Sequence, residues 1–219
     1  YIKAWVGGIN FEHFKYDHVA KGKRQVGSTF KPFVYAAAMD NGRQPCDEIL
    51  NQPVFFENVD GEGERWSPSN SNNSVGGMMT LRRGLASSTN LITARLMKDI
   101  GPQVVVDYAK KKGNKSDLEA VPALCLGTCD QNVLELTGAY STFVNKGVYV
   151  EPIFITRIED RNGNVIQEFS PNTNQVLSSI KAYEMVELLK GVVDAPGGTA
   201  SRLRYHYDFK NEIGGKTGT

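Results

Sequence analysis

The sequence contains no long apolar run, since no stretch approaches the roughly 18 residues that a membrane-spanning helix needs. It also lacks a charge excess, because 25 basic and 24 acidic side chains leave a net charge of +1. Neither nucleic acid nor an acidic membrane surface is therefore an expected partner. Histidine and cysteine are scarce, with three of each, and no Cys-x-x-Cys pair occurs. We predict no metal site and no cofactor.

The three cysteines are Cys46, Cys125 and Cys129. Cys125 and Cys129 are close enough in sequence to pair across a turn in an oxidising compartment, whereas buried free thiols are an equally good interpretation. Both alternatives stay open from the sequence.

The chain has neither an initiator Met nor a signal-like leader, and it opens on "YIKAWVGG" as abruptly as it closes on "GGKTGT". We expect it to be part of a longer protein, with any membrane anchor upstream. Its hydrophobic content of 40% and charged content of 22% are typical of a globular protein. We predict a single domain over residues 1–219, with roughly 70% of its unfolded surface buried.

The pattern of turns and periodic segments predicts an α+β domain in three regions. Residues 1–27 form a strand region with a strand at 4–8, residues 28–147 are mainly helical around an irregular stretch at 43–78, and residues 148–219 hold strands and one helix. Helix boundaries are predicted from caps and breakers, namely Ser28, Gly42, Thr80, Pro102, Asp130, Gly147 and Ser178. Strands on either side of the Asn162-Gly163 turn and a last strand at 209–219 complete the pattern, with a sheet assembled from the two chain ends.

The closing letters "GGKTGT" fit either a phosphate-binding loop or a strand edge that holds an extended peptide. A Walker A loop needs a glycine where this chain has Lys210, and it needs a helix afterwards. The phosphate interpretation therefore fails.

Three short motifs instead suggest a serine acyl-transfer site. In the first, Ser28-x-x-Lys31, three residues are nearly one helical turn, so that the hydroxyl and the amine share a face. A serine becomes nucleophilic when a neutral amine removes its proton. The pKa of Lys31 must therefore lie below its reference value of about 10.4, and Lys216 is a suitable second cation for lowering it.

Each motif alone is weak, because the sequence contains other copies. Ser178-x-x-Lys181 is better explained by a helix cap, and the Ser-x-Asn copies at Ser71 and Ser170 lie in polar loops. Ser88-x-Asn90 lies between two predicted helices instead, and Lys216-Thr217-Gly218 occurs once. The spacing of Ser28, Ser88 and Lys216, with steps of 60 and 128 residues, makes the three a single ordered set.

With these motifs, the segments "AWVGGINF", "RQVGSTFKPFVYAAAMD", "GGMMTLRRGLASSTN", "LELTGAYSTFVNKG" and "GGTA" resemble the transpeptidase domain of penicillin-binding proteins, particularly the bifunctional class A enzymes. The resemblance covers essentially the whole chain. It implies the fold of penicillin-binding proteins and serine β-lactamases, with an antiparallel sheet flanked by helices. Family members continue beyond the Lys-Thr-Gly strand, so we expect an incomplete sheet here and little activity unless another segment supplies the rest.

The resemblance also implies a role for each motif residue. Ser28 is expected to attack a D-Ala–D-Ala carbonyl of a peptidoglycan stem peptide, with Lys31 as the general base. Ser88 is expected to relay the proton to the leaving amine, while Asn90 holds Lys31 and the substrate amide. Penicillins are expected to acylate Ser28.

For the terminal segment, the resemblance implies that Lys216 supplies positive potential. Thr217 and Thr219 are expected to hydrogen-bond the substrate carboxylate beside Gly218. The backbone N–H groups of Ser28 and Thr219 are expected to form the oxyanion hole.

Three alternatives remain open on the sequence. A D,D-carboxypeptidase differs only in using water as the acceptor. One class of serine β-lactamase needs a Glu after the Ser-x-Asn motif, and Glu119 and Glu135 lie in unlike contexts. A non-catalytic penicillin-binding or sensing module would keep the fold without turnover.

The resemblance further implies a location at the extracytoplasmic, periplasmic face of the bacterial cytoplasmic membrane. It implies an upstream glycosyltransferase domain with the anchor, and divisome or elongasome proteins as partners in cell-wall synthesis and cell shape.

Overall fold

The computed structural model describes residues 2–57, 63 and 65–218. Its centre is the helix α1, Lys31–Asp40, in which every residue except Asp40 is buried. A helix that is buried all round needs neighbours on each side, and α3, α4 and α6 pack against α1. The core is therefore built around the helix that begins at the proposed base, Lys31.

The helical elements follow the sequence pattern closely. A 3-10 turn, Gly27–Phe30, runs directly into α1, and a second one covers Pro122–Leu126. The other helices are α2 (Leu81–Ala86), α3 (Asn90–Ile100), α4 (Pro102–Lys111), α5 (Val133–Val144), α6 (Ser179–Asp194) and α7 (Arg202–Tyr205).

The strands form five antiparallel pairs. They are β1 (Arg24–Gln25) with β6 (Asp130–Gln131), β2 (Glu48–Leu50) with β5 (Met78–Thr80), β3 (Phe56–Glu57) with β4 (Arg65–Trp66), β7 (Val148–Val150) with β10 (Thr173–Gln175), and β8 (Arg157–Glu159) with β9 (Val165–Glu168). The predicted α+β class with antiparallel strands is confirmed. The Asn162-Gly163 turn joins β8 to β9, and Gly163 has a φ of +85°.

Several predicted boundaries are confirmed because the local chemistry decides them. Pro102 is the first residue of α4, and the Thr80 and Ser178 hydroxyls accept hydrogen bonds from backbone N–H groups in the first turns of α2 and α6. Gly42 follows α1 with a φ of +96°, a conformation that glycine adopts without strain.

Two predicted strands are wrong. Residues 2–23 contain no strand, so the predicted strand at 4–8 and most of the 1–27 strand region are absent. Residues 209–218 are also irregular, and their Gly215 N–H bonds the Leu189 carbonyl of α6 at 3.2 Å. A strand exists only when a neighbour satisfies its backbone groups, and these described segments do not pair with each other. The predicted sheet from both chain ends is therefore not formed.

Three smaller predictions also need correction. Ser28 lies inside the 3-10 turn instead of capping a helix, and Asn132 caps α5 because Asp130 is engaged in β6. The region 148–219 contains the short α7 in addition to α6. The run Lys110, Lys111 and Lys112 before Gly113 predicts a solvated helix end, because basic residues suit a helix C-terminus. Lys112 is instead fully buried.

The cysteines are free thiols in the structure, with Cys125 and Cys129 buried, so the disulfide alternative is not realised here. Among the helices of the described residues, none combines the length and the apolar character required to cross a bilayer.

Candidate active site

Two backbone hydrogen bonds connect the turn that carries Ser28 to the segment 127–129. The Val26 N–H bonds the Cys129 carbonyl at 3.1 Å, and the Gly27 N–H bonds the Gly127 carbonyl at 3.0 Å. Ser28 itself is half-buried, and in the part of the chain that the structure describes its hydroxyl makes no hydrogen bond. The backbone of the turn is therefore held in place, while the Ser28 hydroxyl has no hydrogen-bond partner among the described residues.

Two residues that the sequence did not single out secure this turn. Gly127 has a φ of +77°, and a Cβ there would overlap the Gly27 carbonyl oxygen. Tyr140 on α5 donates a 2.6 Å hydrogen bond to the Thr29 carbonyl. Both lie in segments that suggested helix or loop structure only, so their roles became visible from the tertiary contacts alone.

Lys31 is 0% exposed, and its amine lies against the Ser88-x-Asn90 segment. Lys31 Nζ donates to the Ser88 carbonyl at 2.6 Å, to Ser88 Oγ at 3.1 Å and to Asn90 Oδ1 at 2.6 Å. Each of its three donors therefore has a partner. Among the described residues, Lys31 Nζ makes no hydrogen bond with the Ser28 hydroxyl, with which it was predicted to share a helix face. One hydrogen-bond position must become free before Lys31 can receive the Ser28 proton.

Ser88 reaches this place because α2 ends at Ala86, two residues before it. The Ser88 N–H bonds the Leu85 carbonyl at 3.1 Å, and Ser88 has a φ of +57°, which is unusual for a residue other than glycine. Asn90 begins α3, and its amide donates to the Ser69 carbonyl at 2.8 Å. The irregular 43–78 stretch thus holds the Asn90 side chain through the carbonyl of Ser69.

The Lys216-Thr217-Gly218 segment closes the site from the other side. Lys216 Nζ donates to Ser88 Oγ and to the Thr217 carbonyl, both at 2.9 Å. A Cβ at Gly218 would lie 2.6 Å from the Thr29 side chain. Only a residue without a side chain permits this approach to the Ser28 turn.

Burial lowers the pKa of both amines, and the charge of Lys216 lowers that of Lys31 further. The pKa of Lys31 is lowered to about 7, mainly because burial desolvates the ammonium and secondly because Lys216 is positive. Burial lowers the pKa of Lys216 to about 8. Burial also raises the pKa of the neighbouring Cys125 thiol to about 12, so this group stays uncharged near neutrality. A neutral amine is therefore available at ordinary pH.

The structure thus brings the predicted Ser28, Lys31, Ser88, Asn90, Lys216, Thr217 and Gly218 into one cluster, whereas Thr219 lies outside the described residues. The competing copies have other partners. Ser178 caps α6 through a 3.3 Å bond from the Lys181 N–H, and Asn172 donates to Glu151 at 2.7 Å. Thr199, within the "GGTA" segment to which no role was assigned, contacts Thr217 and was missed.

The whole chain is similar to known penicillin-binding proteins. The family model for the penicillin-binding protein transpeptidase domain matches residues 9–122 and 123–219. Over its whole length the chain is 33% identical to penicillin-binding protein 1A of Neisseria meningitidis, of which it spans 28%. It is 37% identical to penicillin-binding protein 1A of Pseudomonas aeruginosa over 172 residues, which are 78% of this chain and 21% of that protein.

Solved structures show the same relationship. Penicillin-binding protein 1A from Haemophilus influenzae superposes with a TM-score of 0.87 and 28% identity, covering 98% of this chain and 37% of that chain. The D,D-transpeptidase domain of a peptidoglycan glycosyltransferase from Eggerthella lenta shares the fold, with a TM-score of 0.74, 22% identity and coverage of 93% and 55%. The chain spans about a quarter of the length of the curated relatives. It therefore belongs to the penicillin-binding protein transpeptidase domain family and is most similar in kind to its class A members, as the ordered motifs predicted.

Proposed function

We propose that this domain is a serine D,D-transpeptidase that cross-links peptidoglycan stem peptides through an acyl-enzyme on Ser28. The observation that carries the proposal is the placement of a fully buried Lys31, with a pKa of about 7, within one helical turn of Ser28. A buried amine of this kind serves as a general base near neutral pH.

In the acylation step, neutral Lys31 removes the Ser28 proton while Oγ attacks the carbonyl carbon of the penultimate D-Ala. The backbone N–H groups of Ser28 and Thr219 stabilise the negative oxygen that forms on that carbonyl, at about 3 kcal/mol for each donor. The amide C–N bond then breaks, and the terminal D-Ala leaves as a free amine once it has received a proton.

Ser88 provides the path for that proton. Its hydroxyl lies 3.1 Å from Lys31 Nζ and 2.9 Å from Lys216 Nζ, so it can pass a proton to the leaving nitrogen and regain one from Lys31. Asn90 holds the Lys31 amine in position, because the Asn90 amide oxygen accepts a 2.6 Å hydrogen bond from Lys31 Nζ. Lys216 stays positive and stabilises negative charge in the groove.

The Lys216-Thr217-Gly218 segment binds the donor peptide. Thr217 and Thr219 hydrogen-bond the terminal carboxylate, and Gly218 leaves room beside the Ser28 turn. The amine of a second stem peptide then attacks the acyl carbon. A new amide forms, Ser28 regains its proton and the enzyme is restored. A penicillin enters as a mimic of the dipeptide and stays bound to Ser28.

Two contacts favour this reaction over β-lactam hydrolysis. The Glu135 carboxylate accepts from the Ser116 hydroxyl at 2.8 Å and from the Asn132 amide at 3.0 Å, at the start of α5. Both carboxylate oxygens of Glu135 are thus occupied, one of them by the side chain of the cap residue Asn132, and Glu135 is poorly suited to activate a deacylating water. Water as the acceptor would make the domain a D,D-carboxypeptidase, while acylation without turnover would make it a sensing module.

For the whole protein, we propose an upstream membrane anchor and a glycosyltransferase domain, which place this domain at the periplasmic face of the cytoplasmic membrane. Peptidoglycan stem peptides and β-lactams are its proposed ligands, and divisome or elongasome proteins its proposed partners.

Intact-mass measurement after exposure to benzylpenicillin tests the nucleophile. We expect one adduct on the wild-type protein, none on Ser28→Ala, and an unchanged adduct on Ser178→Ala, because the Ser178 hydroxyl caps α6. An adduct that survives Ser28→Ala would refute the assignment.

The acceptor is tested with a D-Ala–D-Ala stem peptide and a D-amino acid amine. Release of D-Ala with formation of the new amide supports a transpeptidase. Release of D-Ala with hydrolysis alone indicates a carboxypeptidase, and no release of D-Ala from a protein that still binds penicillin indicates a sensing module.

A further inference from the structure

Thr199 and Thr217 form a pair of exposed hydroxyls beside the proposed site. Their Oγ1 atoms lie 2.6 Å apart, which is a short hydrogen bond. Lys216 Nζ lies 3.5 Å from Thr217 Oγ1 as well. The Thr217 oxygen therefore lies next to one hydroxyl, which can either donate to it or accept from it, and one ammonium donor.

The loop that carries Thr199 is tied to the same helices as the rest of the site. The Thr199 N–H bonds the Ala86 carbonyl at the end of α2, two residues before Ser88, at 3.0 Å. The next residue, Ala200, bonds the Val192 carbonyl of α6 at 3.0 Å. The Thr199 backbone is thus fixed relative to both Ser88 and α6.

The remainder of the loop has little freedom to rearrange. Arg83 of α2 donates to the Pro196 carbonyl, and Gly197 lies beside the same guanidinium with a φ of +72°. A Cβ at Gly198 would lie 2.9 Å from the Gly191 carbonyl oxygen. Such a fixed loop can hold one side chain in a defined orientation.

That orientation determines where the Thr217 proton points. A hydroxyl has two lone pairs and one proton. When Thr199 and Lys216 both donate to Thr217 Oγ1, the lone pairs are occupied and its own O–H must point elsewhere. Donation to an oxygen also strengthens the bond that this oxygen's proton can make.

We propose that Thr199 is a positioning residue for recognition of a carboxylate. It donates to Thr217 Oγ1 and thereby directs the Thr217 O–H at the carboxylate of the ligand. The inference rests on the proposed function, in which Thr217 binds the terminal carboxylate of the donor peptide or penicillin. It adds a residue outside the three motifs and assigns a function to the "GGTA" segment.

The test compares acylation of Ser28 by benzylpenicillin with acylation by its methyl ester, which lacks the negative carboxylate. The measured quantity is the ratio of the two second-order acylation rate constants. We expect Thr199→Val, which keeps the shape and removes the hydroxyl, to lower this ratio about tenfold, the effect of weakening one hydrogen bond to a charged group. Thr199→Ser, which keeps the hydroxyl, should retain the wild-type ratio.

An equal loss with both compounds in Thr199→Val would show that Thr199 only supports the loop, and it would overturn the proposal. An unchanged ratio would overturn it as well. A wild-type protein that forms no Ser28 adduct with either compound would refute the proposed function itself, together with this inference. Thermal unfolding of both variants checks that the fold is intact.

Discussion

Lys31 and Lys216 donate hydrogen bonds to the same oxygen, Ser88 Oγ, at 3.1 and 2.9 Å. Two ammonium groups that share one hydroxyl repel each other, and burial removes the water that would screen them. Burial first, and the charge of Lys216 second, lower the pKa of Lys31 to about 7, so Lys31 releases its proton more readily than an exposed lysine does. The proposed role of Lys31 as a base depends on this lowered pKa.

The first prediction concerns pH. In the proposed mechanism acylation requires neutral Lys31, so the rate of penicillin acylation should rise with pH through about 7. Lys216→Met removes the positive charge that lowers the Lys31 pKa, so this rising limb should move to higher pH. Lys190→Met is the matched control, because it removes a cation of α6 that is paired with Glu187 and Glu212. If the rise of the acylation rate with pH stays at the same pH in Lys216→Met, the charge of Lys216 does not affect the pKa of Lys31.

The second prediction concerns Asn90. Asn90→Asp places a carboxylate where an amide oxygen now accepts from Lys31 at 2.6 Å. The negative charge should raise the Lys31 pKa above its present value of about 7. For a rise of one pKa unit the neutral fraction at pH 7 drops from about one half to about one tenth, so acylation should fall about fivefold. The loss should shrink as the pH rises. Asn73→Asp, in an exposed copy of the Ser-x-Asn motif, should leave the rate unchanged.

A loss in Asn90→Asp that is the same at every pH would contradict this explanation. It would mean that Asn90 serves only to support the structure, through its bond to the Ser69 carbonyl.

The third prediction concerns Gly127. Gly127→Ala forces an alanine into a φ of +77°, at a cost of about 1–2 kcal/mol, and its Cβ collides with the Gly27 carbonyl. Overpacking of this kind adds about 1–3 kcal/mol. We expect lower stability by chemical denaturation and slower acylation, since the collision displaces the Ser28 turn.

Gly163→Ala is the control for that change. Gly163 has a similar φ of +85°, and a Cβ there has no neighbour within 4 Å. It should show the backbone cost alone and a wild-type acylation rate. Equal behaviour of the two variants would show that contact with Gly27 is unimportant.

The fourth prediction concerns Lys112, whose amine has no hydrogen-bond partner in the described part of the chain and lies 3.6 Å from the centre of the Phe143 ring. Burial lowers its pKa well below the usual value, against a smaller opposing effect of Asp40. Lys112→Met should stabilise the protein by about 1–3 kcal/mol at pH 7, because it removes a buried polar group without a partner. Lys110→Met, on the exposed side, should have little effect.

The stabilisation by Lys112→Met should also depend on pH. Below the ordinary lysine pKa of about 10.4, the unfolded chain binds a proton at Lys112 that the folded chain does not bind. The wild-type protein therefore loses stability as the pH falls through this range, down to the lowered pKa of the folded state. As the pH falls over the same range, the free energy of unfolding of Lys112→Met should increase relative to that of the wild-type protein. A difference that does not depend on pH would contradict the role of charge.

Helix boundaries were predictable wherever one residue decides them. The effect on a helix boundary comes from the side chain or ring of the residue itself at Ser178, Thr80 and Pro102. Such boundaries can therefore be recognised from the local sequence. Strands were predicted less well, since the segments at 4–8 and 209–218 have strand-like composition but no ladder partner among the described residues. Lys112 was misjudged for a similar reason, because burial depends on α5 supplying Phe143.

For the site, the sequence by itself determined the identity and order of the groups that we propose to react. A Ser-x-x-Lys pair, a Ser-x-Asn triplet and a Lys-Thr-Gly triplet carry their chemistry in the residue types, and their order made them a recognisable set. Only the tertiary structure decided which groups touch. Lys31 bonds Ser88 and Asn90 instead of Ser28, Gly127 and Tyr140 hold the nucleophile turn, and Thr199 meets Thr217. Contacts between residues tens of positions apart depend on how helices pack, and no local pattern encodes that packing.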